Sequence, residues 1–317
     1  MVVYPLKCFY KHVYIAIRTC ITTEKNLREG MFMDHGSAIT ASIKDFVAQS
    51  PLNDMGLEVP EKIFDTPLVG FSSGLDPLYD EYKSHIGSFY FTPWELFAKS
   101  FPGKQYAAED LTVISWIIPS TAATRKEHGA QKRYPSERWV RTRDLGEKFN
   151  IAIRIYVVEQ LKEAGITAVA PLLEPHWARY NEEGPYAPCS NWSERHAAYA
   201  AGLGTFGLCD GLITPVGKAV RIGSVIAAVQ IPPSTRPYDD HHAYCLHFTE
   251  NICRKCIPRC PIKALSEEGH DKNPCMKYVE HTMNKYIKKE YGLDTYACGL
   301  CQCNVPCTDK IPTREDV

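Results

Sequence analysis

The segment Glu250–Leu265 reads ENICRKCIPRCPIKAL, and its cysteines decide how the chain is organised. Iron–sulfur runs of the form C-x2-C-x2-C-x3-C-P send sulfurs to one cluster from a tight turn and the last sulfur to a second cluster. Here Cys253, Cys256, Cys260 and Pro261 match the last three cysteines and the proline, while Glu250 holds the place of the first. A second run, ACGLCQCNVPCTDKIP, supplies Cys298, Cys301 and Cys307, and Cys275 lies between the two runs in KNPCMKY. Under the crossing pattern, Cys253, Cys256 and Cys307 share one cluster, while Cys260, Cys298 and Cys301 share the other, completed by Cys275. The first set then lacks one thiolate. The nearest upstream cysteine is Cys245, so the ligand is read as displaced from position 250 to position 245 by an insertion. The expected cofactors are two 4Fe–4S clusters.

A zinc ribbon also uses two C-x2-C pairs, but about 15–20 residues usually separate them. Here Cys256 and Cys298 lie much further apart, and zinc explains neither the x3-C-P step nor the VPC element. Nine of the thirteen cysteines fall in the last quarter of the chain. Such clustering suits metal or redox chemistry in a reducing compartment rather than disulfides. The N-terminal stretch has a short apolar run broken by Lys11, His12 and Arg18, and no uninterrupted run approaches a membrane span. A cytoplasmic location without membrane partners is expected. A formal net charge of -1 gives no general electrostatic reason to bind nucleic acid.

Upstream of the cysteines, LTVISWIIP (Leu111–Pro119) reads as a buried strand and Leu145–Gly165 as a helix stopped by glycine. ITAVAP reads as a further strand. Asn191 with Glu194 resembles a helix cap before ERHAAYAAG, and the segment after Cys209 alternates turn and β-branched residues as a hairpin or meander does. Interleaved helices and strands imply an α+β body. Residues 1–35 are expected to be an extension, 36–239 the cofactor or substrate domain, and 240–317 the cluster domain.

With these motifs in view, the chain resembles the epoxyqueuosine reductase and corrinoid reductive dehalogenase superfamily. The resemblance runs from about Leu68 to Cys307 and is most specific through SERHAAYAAGLGTFGLCDGLITPVGKAVRIGSVI and the two cysteine runs. It implies an α/β sandwich of nitroreductase or corrinoid-processing type, which holds cobalamin in that superfamily, beside a ferredoxin-like double 4Fe–4S domain. The implied activity is an iron–sulfur oxidoreductase that passes single electrons to a corrinoid or directly to a bound substrate. A non-enzymatic electron-transfer or corrinoid-handling protein is the alternative, and a tRNA epoxyqueuosine reductase proper the third reading. The partners expected are an external donor such as a ferredoxin or flavodoxin and a small-molecule or corrinoid substrate. The position of the aspartate acid of epoxyqueuosine reductases is held by Pro188, and the chain ends ten residues after Cys307 without helical repeats. tRNA is therefore not expected as a partner.

Candidate proton donors near that position are Tyr186, His196 and His176, because tyrosine and histidine can protonate a reduced product. GLGTFG (Gly202–Gly207) has the spacing of a dinucleotide fingerprint but follows a helix instead of a strand. Gly202, Gly204 and Gly207 are read instead as a helix stop and a tight loop that could admit a flat cofactor. Arg125–Arg143 carries seven Lys or Arg against two glutamates. Arg138, Arg141 and Arg143 could grip a phosphate or carboxylate, with a solvated face as the alternative. Glu194 is expected to complement the N-terminal dipole of its helix.

Overall fold

The computed structural model describes residues 34–182 and 187–317. In chain order the body comprises α1 (His35–Gln49), β1 (Leu68–Ser73), α2 (Leu78–Ile86), α3 (Pro93–Ser100), β2 (Thr112–Pro119), α4 (Ala122–Gly129), α5 (Glu137–Glu163), β3 (Ala168–Val169), β4 (Arg179–Tyr180), β5 (Cys189–Ser190), α6 (Glu194–Ala200), β6 (Thr205–Phe206), β7 (Leu212–Ile213) and β8 (Val220–Ala227). The cysteine-rich segment adds α7 (Leu246–Glu250), β9 (Leu265–Ser266), β10 (Gly269–His270), α8 (Lys272–Lys277) and α9 (Asn284–Tyr291), the last two joined by a π-helical turn over Tyr278–Met283. No helix among the described residues is long and apolar enough to cross a membrane.

β2 is buried along its whole length because it serves two cores at once. Successive side chains of a strand point to opposite faces. Ile114, Trp116 and Ile118 pack with α1 and α5, whereas Val113 and Ile117 pack with α2, α3 and α6. The sheet order is β1-β2-β8-β3, and every pairing is antiparallel. Helices therefore cover both faces of an antiparallel sheet, and the expected mixture of helix and strand is present.

α5 begins eight residues before the stretch read as a helix from sequence, because Ser136 caps it by accepting from the Trp139 N–H. Its apolar stripe, including Phe149, Ile153, Tyr156 and Val157, meets α1, where Phe46 stacks on Tyr156 at 4.2 Å. The Glu194 cap expected from sequence is not formed. Its carboxylate turns inward and accepts from Arg154 at 3.1 Å and from the Ser224 hydroxyl. Arg154, 1% exposed, also pairs with Glu147 at 3.2 Å. Asn191 likewise does not cap α6; it bonds the Ala178 N–H and the His176 carbonyl.

The cysteine-rich segment is stitched to the body at several points. Tyr134 stacks on Tyr286 at 4.0 Å, and the Tyr291 hydroxyl donates to the Pro135 carbonyl. Lys218 and Ala219 donate their backbone N–H groups to the Cys307 and Thr308 carbonyls. That approach requires Gly217, at φ +78°, where a Cβ would come within 2.3 Å of the Asp309 backbone.

Removing one member of a buried ion pair leaves an uncompensated charge and costs about 3–5 kcal/mol, whereas partly exposed pairs contribute at most about 1 kcal/mol. Arg154→Ala is therefore expected to lower the urea unfolding free energy by roughly 3 kcal/mol or more. Arg138→Ala, which breaks pairs with Glu61 and Glu127, should cost about 1 kcal/mol or less.

Candidate metal centre and adjoining cavity

The fold gathers the eight candidate thiols into two groups. Cys245, Cys253, Cys256 and Cys307 line one small cavity of about 20 Å³, together with Leu208, Ile213, Lys218 and Val305. Cys245 sits at the start of α7, Cys253 and Cys256 lie in the turn beyond it, and Cys307 arrives from the distant C-terminal run. Cys260, Cys275, Cys298 and Cys301 line a second cavity of about 460 Å³, joined there by Cys209. Glu250, in the place of a ligand by sequence, instead pairs with Arg314 at 2.5 Å. Cys303 is fully buried and lines neither cavity, and Cys189 lies in β5.

The two C-x2-C pairs thus face different cavities, which a zinc ribbon would not do. Among the described residues, no three His, Cys, Asp or Glu side chains converge as ligands of a single ion. Cubane ligands have a different geometry, because each thiolate binds its own iron and the sulfurs stand apart around the cluster. Burial pushes the Cys256 thiol up to about 12 and the Cys298 and Cys307 thiols to about 11. Metal loading must displace those protons.

Lys218 is only 3% exposed, yet no ion pair to a carboxylate is found for it among the described residues. Its ammonium donates to the Cys209 Sγ at 3.3 Å. Burial opposes its charge, but Cys209, Cys307, Cys256 and Cys301 around it hold its pKa well above the ordinary lysine value. A lone buried ammonium is costly, so a ring of sulfur suits a site that carries negative charge. The donor set and this cation fit iron–sulfur clusters.

The larger cavity has a cationic wall. Arg143, Arg179, Arg195, Arg221, Arg259 and Lys272 line it, against Asp210 and Glu280. Arg221 pairs with Glu147 at 2.9 Å, and Arg143 donates to the Tyr296 hydroxyl. Arg195 donates to the Asp210 carbonyl, while Arg259 reaches the Leu300 and Gln131 carbonyls and leaves Nη2 buried without a hydrogen-bond partner. His270 bridges Asp210 and Cys275; burial works against its charge, but those two partners raise it to about 10.

Most of the expected proton donors and cofactor contacts lie elsewhere. His196 contacts the Ser193 hydroxyl at 2.8 Å and packs against Tyr82, Tyr90 and Phe206, outside the cavity lining. Burial pushes it down to about 3, so it is neutral at ordinary pH and is not poised to donate a proton. His176 is exposed and lines neither cavity, and Tyr186 lies outside the described residues. The space above Gly202 and Gly204 is filled by the chain itself. A Cβ there would lie 2.4 Å from the Thr235 carbonyl and 2.3 Å from that of Ile213, so the close approach these glycines permit is that of the chain's own backbone. Gly207 lines the small thiol cavity. Arg138 is held by Glu61 and Glu127, and Arg141 by Glu137 and the Gly56 carbonyl, which leaves Arg143 as the cavity-facing member of that basic run. Lys218 and Cys209 lie inside the stretch that carries the resemblance but were not singled out, because neither belongs to a cysteine run with ligand spacing.

No protein-family model and no curated protein sequence matches the chain. Among solved structures it is similar to the catabolic reductive dehalogenase NpRdhA, N-terminally tagged, at 19% identity and a TM-score of 0.44 over 78% of this chain and 30% of that one. It is also similar to epoxyqueuosine reductase from Bacillus subtilis, at 16% identity and a TM-score of 0.40, over 79% of this chain and 63% of that one. A third is epoxyqueuosine reductase with an epoxyqueuosine-modified tRNA-Tyr stem loop, at 16% identity and a TM-score of 0.41, over 86% of this chain and 66% of that one. The chain thus spans about a third to two thirds of the length of these proteins. The structural neighbours are of the two kinds that the sequence resembles, and at such identities the chemistry has to be argued from this chain's own residues.

The environment of His196 can be checked directly. In a histidine NMR titration its ring signals should stay unchanged from pH 8 to pH 5, because burial pushes its pKa down to about 3. A midpoint near 6.5 would place the ring in solvent.

Proposed function

We propose that the protein is an iron–sulfur reductase. Cys245, Cys253, Cys256 and Cys307 would hold one 4Fe–4S cluster and Cys260, Cys275, Cys298 and Cys301 the other, with residues 240–317 as a ferredoxin-like module. The observation that carries this reading is the sorting of the eight thiols into two fours around separate cavities, one of them continuous with a cation-lined chamber. When bound, such clusters supply electrons one at a time.

The chain's residues suggest what the chamber accepts. Its volume, about 460 Å³, is that of a small-molecule site, and the metal-binding thiols occupy part of its wall. A corrinoid would have to extend beyond it, so we favour direct delivery to a small substrate. Six Lys and Arg side chains face two carboxylates in the lining. A thiolate-bound cubane with about two negative charges offsets some of that excess, and Glu147 offsets Arg221. Positive charge remains, and guanidinium forks suit carboxylate or phosphate groups. An anionic substrate is the class we infer. Arg143 and Arg195 would orient it, while Trp139 and Tyr278 restrict water on the same wall. The proton donor we propose is Tyr186, two residues before the cavity-lining Pro188. A walled chamber of this kind favours an enzyme over a bare electron carrier. The electrons would come from an external ferredoxin or flavodoxin.

Anaerobic reconstitution tests the reading. About eight irons per chain are expected from two cubanes, and four or fewer would rule the pairing out. Cys245→Ala should fall to about four irons, while Glu250→Ala and Cys303→Ala should keep about eight. Cobalt bound in proportion to protein would replace direct delivery with a corrinoid.

A further inference from the structure

We propose that Lys218 is a shared electrostatic anchor for the two metal centres, and that it reaches the second through Cys209. The proposal rests on the two-cluster reading above and concerns two residues outside the ligand set. Lys218 lines the small cavity with Cys245, Cys253, Cys256 and Cys307. Its ammonium donates to the Sγ of Cys209, which lines the large cavity and neighbours Cys301, and it also faces the Cys307 thiol of the small cavity. Lys218 and Cys209 therefore form part of the wall between the two thiol groups.

The backbone fixes this placement. The Lys218 N–H donates to the Cys307 carbonyl at 3.0 Å, and Gly217 permits the close crossing at Asp309. Lys218 thus touches Cys307 of the first set through both its main chain and its side chain, and approaches Cys301 of the second set through Cys209. A positive charge in a poorly solvated site attracts an added electron far more strongly than it would in water. Hydrogen bonds and charges around cluster sulfurs are known levers on reduction potential. Each centre gains a negative charge on reduction, and the ammonium stabilises that reduced form at both sites. Cys209 acts at the second site alone, as a hydrogen-bonding partner of a ligand sulfur.

The test uses full-length, anaerobically reconstituted protein with Lys218→Met, Lys218→Arg and Cys209→Ala variants. Iron is counted first, and each centre is then titrated by EPR under controlled potential. In Lys218→Met, the reduction equilibrium constant of both centres should fall by at least about tenfold, which is about 59 mV for a one-electron couple. Lys218→Arg, which keeps the charge, should stay within about threefold, and Cys209→Ala should shift the second centre only. Loss of iron in the Met variant with retention in the Arg variant also supports a role for the charge. Unchanged potentials in Lys218→Met would overturn the proposal, since the charge would then be spent on the Cys209 sulfur. A shift at one centre alone, or iron loss in both lysine variants, overturns it too. Four or fewer irons in the unaltered protein would instead bring down the two-cluster reading itself.

Discussion

Arg154 is the constraint on which the body is built. Its guanidinium, nearly inaccessible to water, ties α5 to α6 through Glu194 and to the first half of its own helix through Glu147. It also donates to the Ile222 carbonyl of β8. The two terminal nitrogens of this buried charge are both paired, which matters because an unmet buried charge costs heavily, while its Nε is left without a partner. Glu194 feels that cost: burial raises its pKa, and Arg154 and Ser224 pull it back down. Glu147 then passes the linkage to Arg221, which lines the large cavity. The geometry of the chamber wall is therefore fixed from inside the core.

Charge distribution links the body to the cysteine-rich segment. The body contributes most of the cations around the thiols: Arg143, Arg179, Arg195 and Arg221 at the large cavity, and Lys218 between the two. The cysteine-rich segment contributes the sulfurs. Joining them brings thiols, which become anionic on binding metal, against cations that would otherwise be costly to bury.

Much of the fold and part of the site were legible beforehand. β2 was readable because a run of β-branched and aromatic residues ending in proline has few other uses. α5 was readable from its periodicity, but its first turns were hidden by basic residues that look like a solvated loop. Glu194 was misread because a carboxylate in a first helical turn usually serves the dipole. Here Arg154, forty positions earlier, outcompetes that weak local interaction. Gly202 and Gly204 were misread for a related reason. A glycine needed for close approach says nothing about what approaches, and in this fold it is the chain's own Thr235 and Ile213.

The sequence by itself supplied the candidate thiols and the pairing proposed for them, because cysteine spacing encodes how many sulfurs one turn can present and when the chain must leave for another centre. It also marked Cys245 as the substitute for the ligand missing at Glu250. Only the tertiary structure decided which cations surround those thiols. Lys218, Arg195 and Arg221 lie in the stretch that carries the resemblance, but their placement around the thiols depends on crossings such as the Gly217–Asp309 contact that join distant segments. Solvent exclusion at those crossings turns an ordinary lysine into a buried charge among thiols and an ordinary basic surface into a chamber wall.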